Sequence, residues 1–415
     1  MHYKWMLLIL SCWLSGAFSS EAAINKVNAL TLQPDIRALK NPSIERSNLI
    51  NARSQRALIE NTHYTCTSPA ESSDSAACLL IELGDAAAQQ DMRTWVKHYS
   101  RLQQDITAQR LSLGQWDGYF KLYDQATLDE IGNIQRFKLV ADKPLNFLAY
   151  GNNAPQLFED ALRPYLTDSL GNKWLVDTGA SQTLINADVA KALGARTVAH
   201  VSATLTSFHS DAEEQGRLAV IDSLTLGEIS IEAVTGYIYS GESVIGLDLL
   251  KKLGSVAITK KGVYVWRAQD APTQREDCSV DVYLGSNILN TNQYLFTGIT
   301  LDNKKLYSIL DTGVSGYLRK RGQGAPGVKH LDTGKDMLNS SMGYFASTPA
   351  LIGIGGISKN IVAMEVTEAR YPAAAILGFD LLNDFDLFID FNHKNSCLVK
   401  HSDPSSTLSD VRSHL

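Results

Sequence analysis

The sequence predicts a mainly β protein, built as two similar β-rich lobes in one chain and preceded by a small α-helical region. Three observations carry that prediction. From about residue 135 onward, runs of strand-forming residues ("RFKLVAD", "VSATLTSF", "RLAVIDSLTL", "ISIEAVTGYIY") alternate with Gly, Asn and Asp. That region contains a repeat: "WLVDTGAS" with "SVIGLDLLKKLGSVAIT" in one copy, and "SILDTGVS" with "AILGFDLLNDFDLFIDF" in the other, at nearly the same separation. Ahead of it, "ACLLIELGDAAAQQDMRTWVKHYSRLQQDI" places apolar residues at helical intervals, which predicts a helical hairpin with a break at Gly84–Asp85.

Taken in order, residues 1–22 have the pattern of a signal peptide. Lys4 precedes an apolar stretch from Met6 to Phe18, and small residues follow. An uncleaved anchor is the alternative. Cleavage predicts an exported protein, periplasmic in a Gram-negative bacterium and otherwise secreted, with no stable membrane insertion afterwards. Residues 23–74 are polar and mildly basic, a linker or a pro-segment. The helical hairpin region is assigned to 75–135, the first lobe to 136–272 and the second to 273–400. The polar tail 401–415 is expected to be disordered.

A chain of 415 residues, 44% hydrophobic and with a formal net charge of -6, can bury a substantial core. It has no basic excess to favour nucleic acid, so no nucleic-acid partner is expected. Outside the signal peptide the cysteines are Cys66, Cys78, Cys278 and Cys397. Three pairings are open to them. The least demanding joins Cys66 to Cys78 and Cys278 to Cys397; free buried thiols are the alternative. With no Cys-x-x-Cys or His-x-x-x-His spacing, no metal is expected.

The repeat is where chemistry is expected. Trp174, Leu175 and Val176 form an apolar run that should be a core strand. Asp177 stands at its end, in a turn that Gly179 is expected to permit. Asp311 stands likewise after Ile309 and Leu310. A carboxylate in that position is costly unless it is paired or hydrogen-bonded. Thr178 offers a hydroxyl that can bond across an interface. The glycines of the second motif, Gly246 and Gly378, should let one backbone pass close to the Asp-Thr-Gly loop. Asp248 and Asp380 read as helix caps. The runs "SVAIT" and "LFIDF" could then join the halves in one sheet. A third Asp-Thr-Gly, at Asp332, follows Lys329, His330 and Leu331 and has no partner motif, so it reads as a surface turn. His209 has no Ser-Gly motif to form a serine-type triad.

"LVDTGAS…VIGLDLL" and "ILDTGVS…ILGFDLL" resemble the retropepsin-like aspartic proteases and their two-lobed pepsin-like relatives. The resemblance covers roughly residues 140–400 and leaves out the helical region. It implies a bilobal aspartic-protease-like fold in which a single chain completes the site, so a monomer suffices. Asp177 and Asp311 would be the catalytic pair. The loops around them would be Thr178, Gly179, Ala180 and Ser181 in one lobe, and Thr312, Gly313, Val314 and Ser315 in the other. A protein or peptide would be the substrate, and a hairpin over the site is placed within about 203–217. Two adjacent carboxyls cannot both ionise cheaply and therefore share a proton. The ionised member can activate a water while the protonated member polarises the scissile carbonyl, so no metal, cofactor or covalent nucleophile would be needed.

Two departures from the family pattern matter. Leu247 and Phe379 stand where retroviral relatives often carry Arg, so no Arg–Asp clamp is expected there. Ala180 and Val314 replace a hydroxyl that pepsin-like enzymes tend to have, which predicts activity at mildly rather than strongly acidic pH. The competing reading keeps the fold and denies catalysis, making the chain an inactive peptide-binding or assembly module in the cell envelope.

Overall fold

The two apolar runs that follow the repeats pair with each other at the centre of the molecule. The computed structural model describes residues 72–110, 114–151, 163–207, 212–267, 270–272, 277–286, 293–321, 331–335, 337–338, 341–345, 349–366, 373–391 and 396–401. The expected signal peptide, the linker or pro-segment as far as residue 71, Cys66, His209 and the tail after His401 lie outside these residues.

The helical unit comprises α1 (Ser72–Ala88), α2 (Met92–Thr107), a 3-10 turn (Gly114–Lys121) and α3 (Gln125–Gly132). Leu83, Tyr99, Leu102, Phe120 and Leu128 form its core. The expected break at Gly84 is corrected: α1 runs through Gly84, which is buried, and ends four residues later. Leu80 and Leu83 pack into the core on that helical face, which offsets the ~1 kcal/mol that glycine costs inside a helix. The chain turns instead at Gln90, in the left-handed region with φ 52. Asp91 then caps α2 by accepting from the Thr94 amide at 3.2 Å. The unit docks on the first lobe through Ile131, which clusters with Val198, Val201 and Val220.

The first half contains β1 (Lys138–Val140), β2 (Leu145–Ala149), β3 (Tyr165–Thr167), β4 (Lys173–Val176), β5 (Leu184–Asn186), α4 (Ala187–Ala192), β6 (Arg196–Thr206) and β7 (Glu213–Leu226). It continues with β8 (Ile229–Tyr239), β9 (Val244–Ile245), α5 (Leu247–Leu253), β10 (Ser255–Ile258) and β11 (Gly262–Trp266). Strands β3-β4-β9-β5-β8-β7-β6 make one sheet, with β1 on β8.

The second half contains β12 (Cys278–Ser286), β13 (Gln293–Leu301), β14 (Lys304–Leu310), β15 (Leu318–Arg321), β16 (Leu331–Lys335), β17 (Ser341–Phe345) and β18 (Pro349–Ile354). After β19 (Ile357–Val362), β20 (Met364–Val366) and β21 (Ala375–Leu377) come a 3-10 turn (Phe379–Asn383), β22 (Phe385–Asp390) and β23 (Cys397–Lys400). Asp332 is corrected from a surface turn to strand β16, which pairs with β17 and shifts register between Asp332 and Gly334. The sequence before it lacked a strand pattern, and pairing with β17 supplies the order that local propensity did not.

The halves share the run β2-β11-β10-β22-β23-β12, three strands from each. Its middle is the antiparallel pair β10–β22, where Ser255 faces Asp390 and Ile258 faces Leu387. Both strands are buried at every position, as expected of central strands without polar alternation. The disulfide Cys278–Cys397 joins β12 to β23 across a sequence separation of 119. This is a mainly β, bilobal, aspartic-protease-like fold with a helical unit at its N-terminal side. Among the described residues, no helix is long and apolar enough to cross a membrane.

Candidate active site

Each half builds the same loop by the same pairings. In the first, β4 runs parallel to β9, with Val176 opposite Ile245, and β9 also pairs with β5. In the second, β14 runs parallel to β21, with Leu310 opposite Leu377, and β21 also pairs with β15. Each acid thus leaves a strand held on the strand of the later motif. Trp174, fully buried, anchors β4 and donates its indole N–H to Asp168 Oδ2 at 3.1 Å.

The glycines of the second motif sit where their sequence pattern put them. A Cβ on Gly246 would lie 2.5 Å from the Gln182 carbonyl, and one on Gly378 would lie 2.4 Å from the Gly316 carbonyl. The next amides grip the loops: Leu247 donates to the Ala180 carbonyl at 2.8 Å and Phe379 to the Val314 carbonyl at 2.7 Å. The cap expectation is corrected. Gly246 and Gly378 occupy the N-cap positions, and Asp248 and Asp380 lie in the first turn. Asp248 Oδ1 accepts the Thr183 hydroxyl at 2.7 Å instead. Glycine takes the cap because the loop backbone leaves no room for a capping side chain.

The loops meet through crossed bonds. Thr178 Oγ1 donates to the Leu310 carbonyl at 2.8 Å and accepts the Thr312 amide at 3.0 Å. Thr312 Oγ1 donates to the Val176 carbonyl at 2.7 Å and accepts the Thr178 amide at 3.1 Å. Ser181 extends the contact, accepting from the Gln293 amide and donating to its carbonyl. Thr178→Val would strand a buried amide and a buried carbonyl at the lobe interface. We expect it to cost about 1–3 kcal/mol in chemical denaturation, and Thr178→Ser, which keeps the hydroxyl, to recover most of that.

This crossing brings the acids together. Asp177 and Asp311 are 9% and 5% exposed and hydrogen-bond each other. Asp177 Oδ1 accepts the Gly179 amide at 2.8 Å and the Ala180 amide at 3.2 Å, whereas Asp311 Oδ1 accepts the Gly313 amide at 3.0 Å. Burial raises both carboxyls above the usual carboxylate range; the Asp177 charge pushes Asp311 further, well above it. Two amides on Asp177 against one on Asp311 favour Asp177 as the ionised member of the pair and Asp311 as the holder of the shared proton. Gly179 and Gly313 are needed for space and not for a left-handed turn, since neither has positive φ. A Cβ on Gly179 would lie 2.2 Å from Asp311 Oδ2, and one on Gly313 would lie 2.4 Å from Asp177 Oδ2.

Two guanidinium groups, one half-buried and one buried, escaped the sequence reading. Arg163 Nε donates across the interface to the Gly313 carbonyl at 3.2 Å, while its Nη1 bonds Tyr165 at 2.7 Å and Glu242 at 2.5 Å. Its charge opposes the upward push on Asp177. Arg319, 5% exposed on β15, acts likewise on Asp311. The repeat concealed Arg319, because the matching position of the first copy is Ile185.

Hairpins approach the loops from both halves. Strands β6 and β7 pair from Thr206↔Glu213 inward, and Leu205 clusters with Ala180, Leu184 and Tyr239. Met337 and Leu338, from between β16 and β17, pack on that same first-half cluster. Cys278 and Cys397 form a disulfide remote from the acids in sequence; Cys78 lies on α1.

Residues 171–252 match the family described as gag-polyprotein putative aspartyl protease. A search of curated proteins finds no match. Among solved structures, the aspartic proteinase from Irpex lacteus is 12% identical with a TM-score of 0.41, over 63% of this chain and 99% of that one. A retropepsin-like aspartic protease from Rickettsia conorii is 16% identical with a TM-score of 0.21, over 31% of this chain and 92% of that one. Basic 7S globulin from soybean is 10% identical with a TM-score of 0.36, over 64% and 96%. The structure itself is mainly β and bilobal, and each half contributes one acid to the pair. The matched segment is the one that carries the first acid, so the likeness to that family is shown for residues 171–252.

Proposed function

We propose that the protein is an aspartic-type endopeptidase that hydrolyses peptide bonds with a water held between Asp177 and Asp311. The observation that carries this reading is the pair of buried, mutually hydrogen-bonded carboxyls, held face to face by the crossed Thr178 and Thr312 bonds. A binding module needs no such pair, and burying it without use is costly.

The chemistry balances with these two groups alone. Asp177 takes a proton from the water as its oxygen bonds to the scissile carbonyl carbon, and Asp311 gives its proton to the carbonyl oxygen. In the tetrahedral intermediate, Asp177 is protonated and Asp311 ionised. Collapse breaks the C–N bond: Asp177 returns its proton to the departing nitrogen, and Asp311 recovers one from the intermediate's hydroxyl. The products are a carboxylic acid and an amine, and the pair is restored. The preceding hairpin β6–β7 would cover an extended peptide. Residues 136–272 and 273–400 would be the two lobes, and the N-terminal segment would direct export.

Both carboxyls are raised, so both limbs of a pH profile move toward neutrality. Activity falls on the acid side as Asp177 gains a proton and on the alkaline side as Asp311 loses one. We expect an optimum in mild acid, above the ordinary carboxylate pKa of about 4. The test is incubation with a peptide library across pH, read by mass spectrometry. Internal cleavage peaking in mild acid supports the proposal. A silent wild-type protein would favour the binding module, and an optimum below about pH 3 would contradict the account of the pair.

A further inference from the structure

A pocket partly open to solvent lies close to the Asp177 loop and takes no part in the proposed hydrolysis. It is a cavity of about 160 Å³ between the helical unit, strands β6 to β8 and α5. Trp95, Tyr119, Tyr123, Met92 and Ile134 form an aromatic and apolar wall. Thr235, Tyr237, Asp248, Lys251 and Lys252 form the other, and Gln182 of the loop also reaches it.

The charges on that second wall do not cancel. Asp248 spends one carboxyl oxygen on the Thr183 hydroxyl and the Leu249 amide, and it stands in the field of Lys252. Lys252 donates to Gln90 Oε1 at 2.7 Å and to Thr235 Oγ1 at 3.3 Å. Lys251, by contrast, has no ion pair or hydrogen bond from its side chain among the described residues. Burial, reinforced by Lys252, pushes its ammonium down to about 8, against an opposing pull from the Asp85 charge. An ammonium so placed gains from an anionic partner, because a charge-assisted hydrogen bond replaces lost hydration. The size of the space fixes the rest of the ligand. An apolar cavity of about 150 Å³ accepts benzene, so this one accommodates about one ring.

We propose that this cavity binds a small organic carboxylate whose apolar body is about one aromatic ring in size, with its acid on Lys251 and its body against Trp95 and Tyr123. The site is distinct from the acid pair. It is formed only because the helical unit docks on the first lobe.

Isothermal titration of the purified protein with phenylacetate and with phenylacetamide tests this. The carboxylate is expected to bind with a dissociation constant of about 10 μM to 1 mM, and the amide at least about 10-fold more weakly. Lys251→Met should abolish the preference, Lys251→Arg should keep it, and Asp177→Asn should bind like the wild type, which separates this site from the hydrolytic one. No heat from phenylacetate, equal binding of the amide, or an unchanged preference in a folded Lys251→Met variant would overturn the proposal.

Discussion

Asp311→Asn is expected to lower peptide cleavage by about 10³-fold or more while making the protein more stable at neutral pH. Asparagine is nearly isosteric here. Its carbonyl can still accept the Gly313 amide, and its amide can donate to Asp177, as the protonated carboxyl does. What it lacks is a proton to give. The stability change follows from the sign of the Asp311 shift. Its folded pKa is raised, so the folded state holds the proton more tightly than the unfolded chain does. The stabilisation this gives is complete below the unfolded pKa of about 4 and is lost as pH rises through the folded pKa. Above that point the wild type buries a second negative charge beside Asp177. The neutral variant does not, and we expect it to gain about 1–2 kcal/mol at neutral pH, a gain that vanishes in acid. Denaturant midpoints at both pH values measure it. A variant that is less stable at neutral pH would mean that Asp311 is not the raised member.

Gly313→Ala should be nearly as damaging to activity. The new methyl would sit 2.4 Å from the Asp177 carboxyl, and the loop is tied on its other side by the Thr312 bonds. Neither side can retreat without separating the acids. A displacement of about 1 Å at such a site costs about 10²-fold in rate, and the overpacking itself costs about 1–3 kcal/mol. Gly179→Ala should behave in the same way, because its methyl would lie 2.2 Å from Asp311 Oδ2. Gly194→Ala is the control. Its φ of 64 makes alanine strained, but no atom lies within 4 Å of the added carbon, so it should lose stability and keep its rate. Equal losses of rate at Gly194 and Gly313 would show that the effect is not local to the acids.

Both acids and their supporting glycines were legible in the sequence because each sits on a buried strand whose apolar run is unambiguous, and because the halves repeat. The same repetition hid what differs between them. Arg319 faces Ile185 in the comparison, and Arg163 acts through a carbonyl of the opposite half, a contact no local pattern records. The helical unit was legible as helices but not as a neighbour of the site. Its docking depends on Ile131 meeting Val198, Val201 and Val220, and on Gln90, whose side chain bonds the Ala233 carbonyl at 2.7 Å. Gly84 and Asp332 misled for one reason: each was read by local preference where packing or strand pairing decides.

The central claim is that Asp177 and Asp311 act as one unit sharing one proton. The most direct measurement is the set of cleavage rates of the wild type, Asp177→Asn, Asp311→Asn and the double variant, on one peptide at the optimal pH. If the claim holds, each single variant falls to the rate of the double, since removing either acid disables the other. If either single variant keeps a substantial rate and the double loses the product of the two effects, the acids act independently and the claim fails.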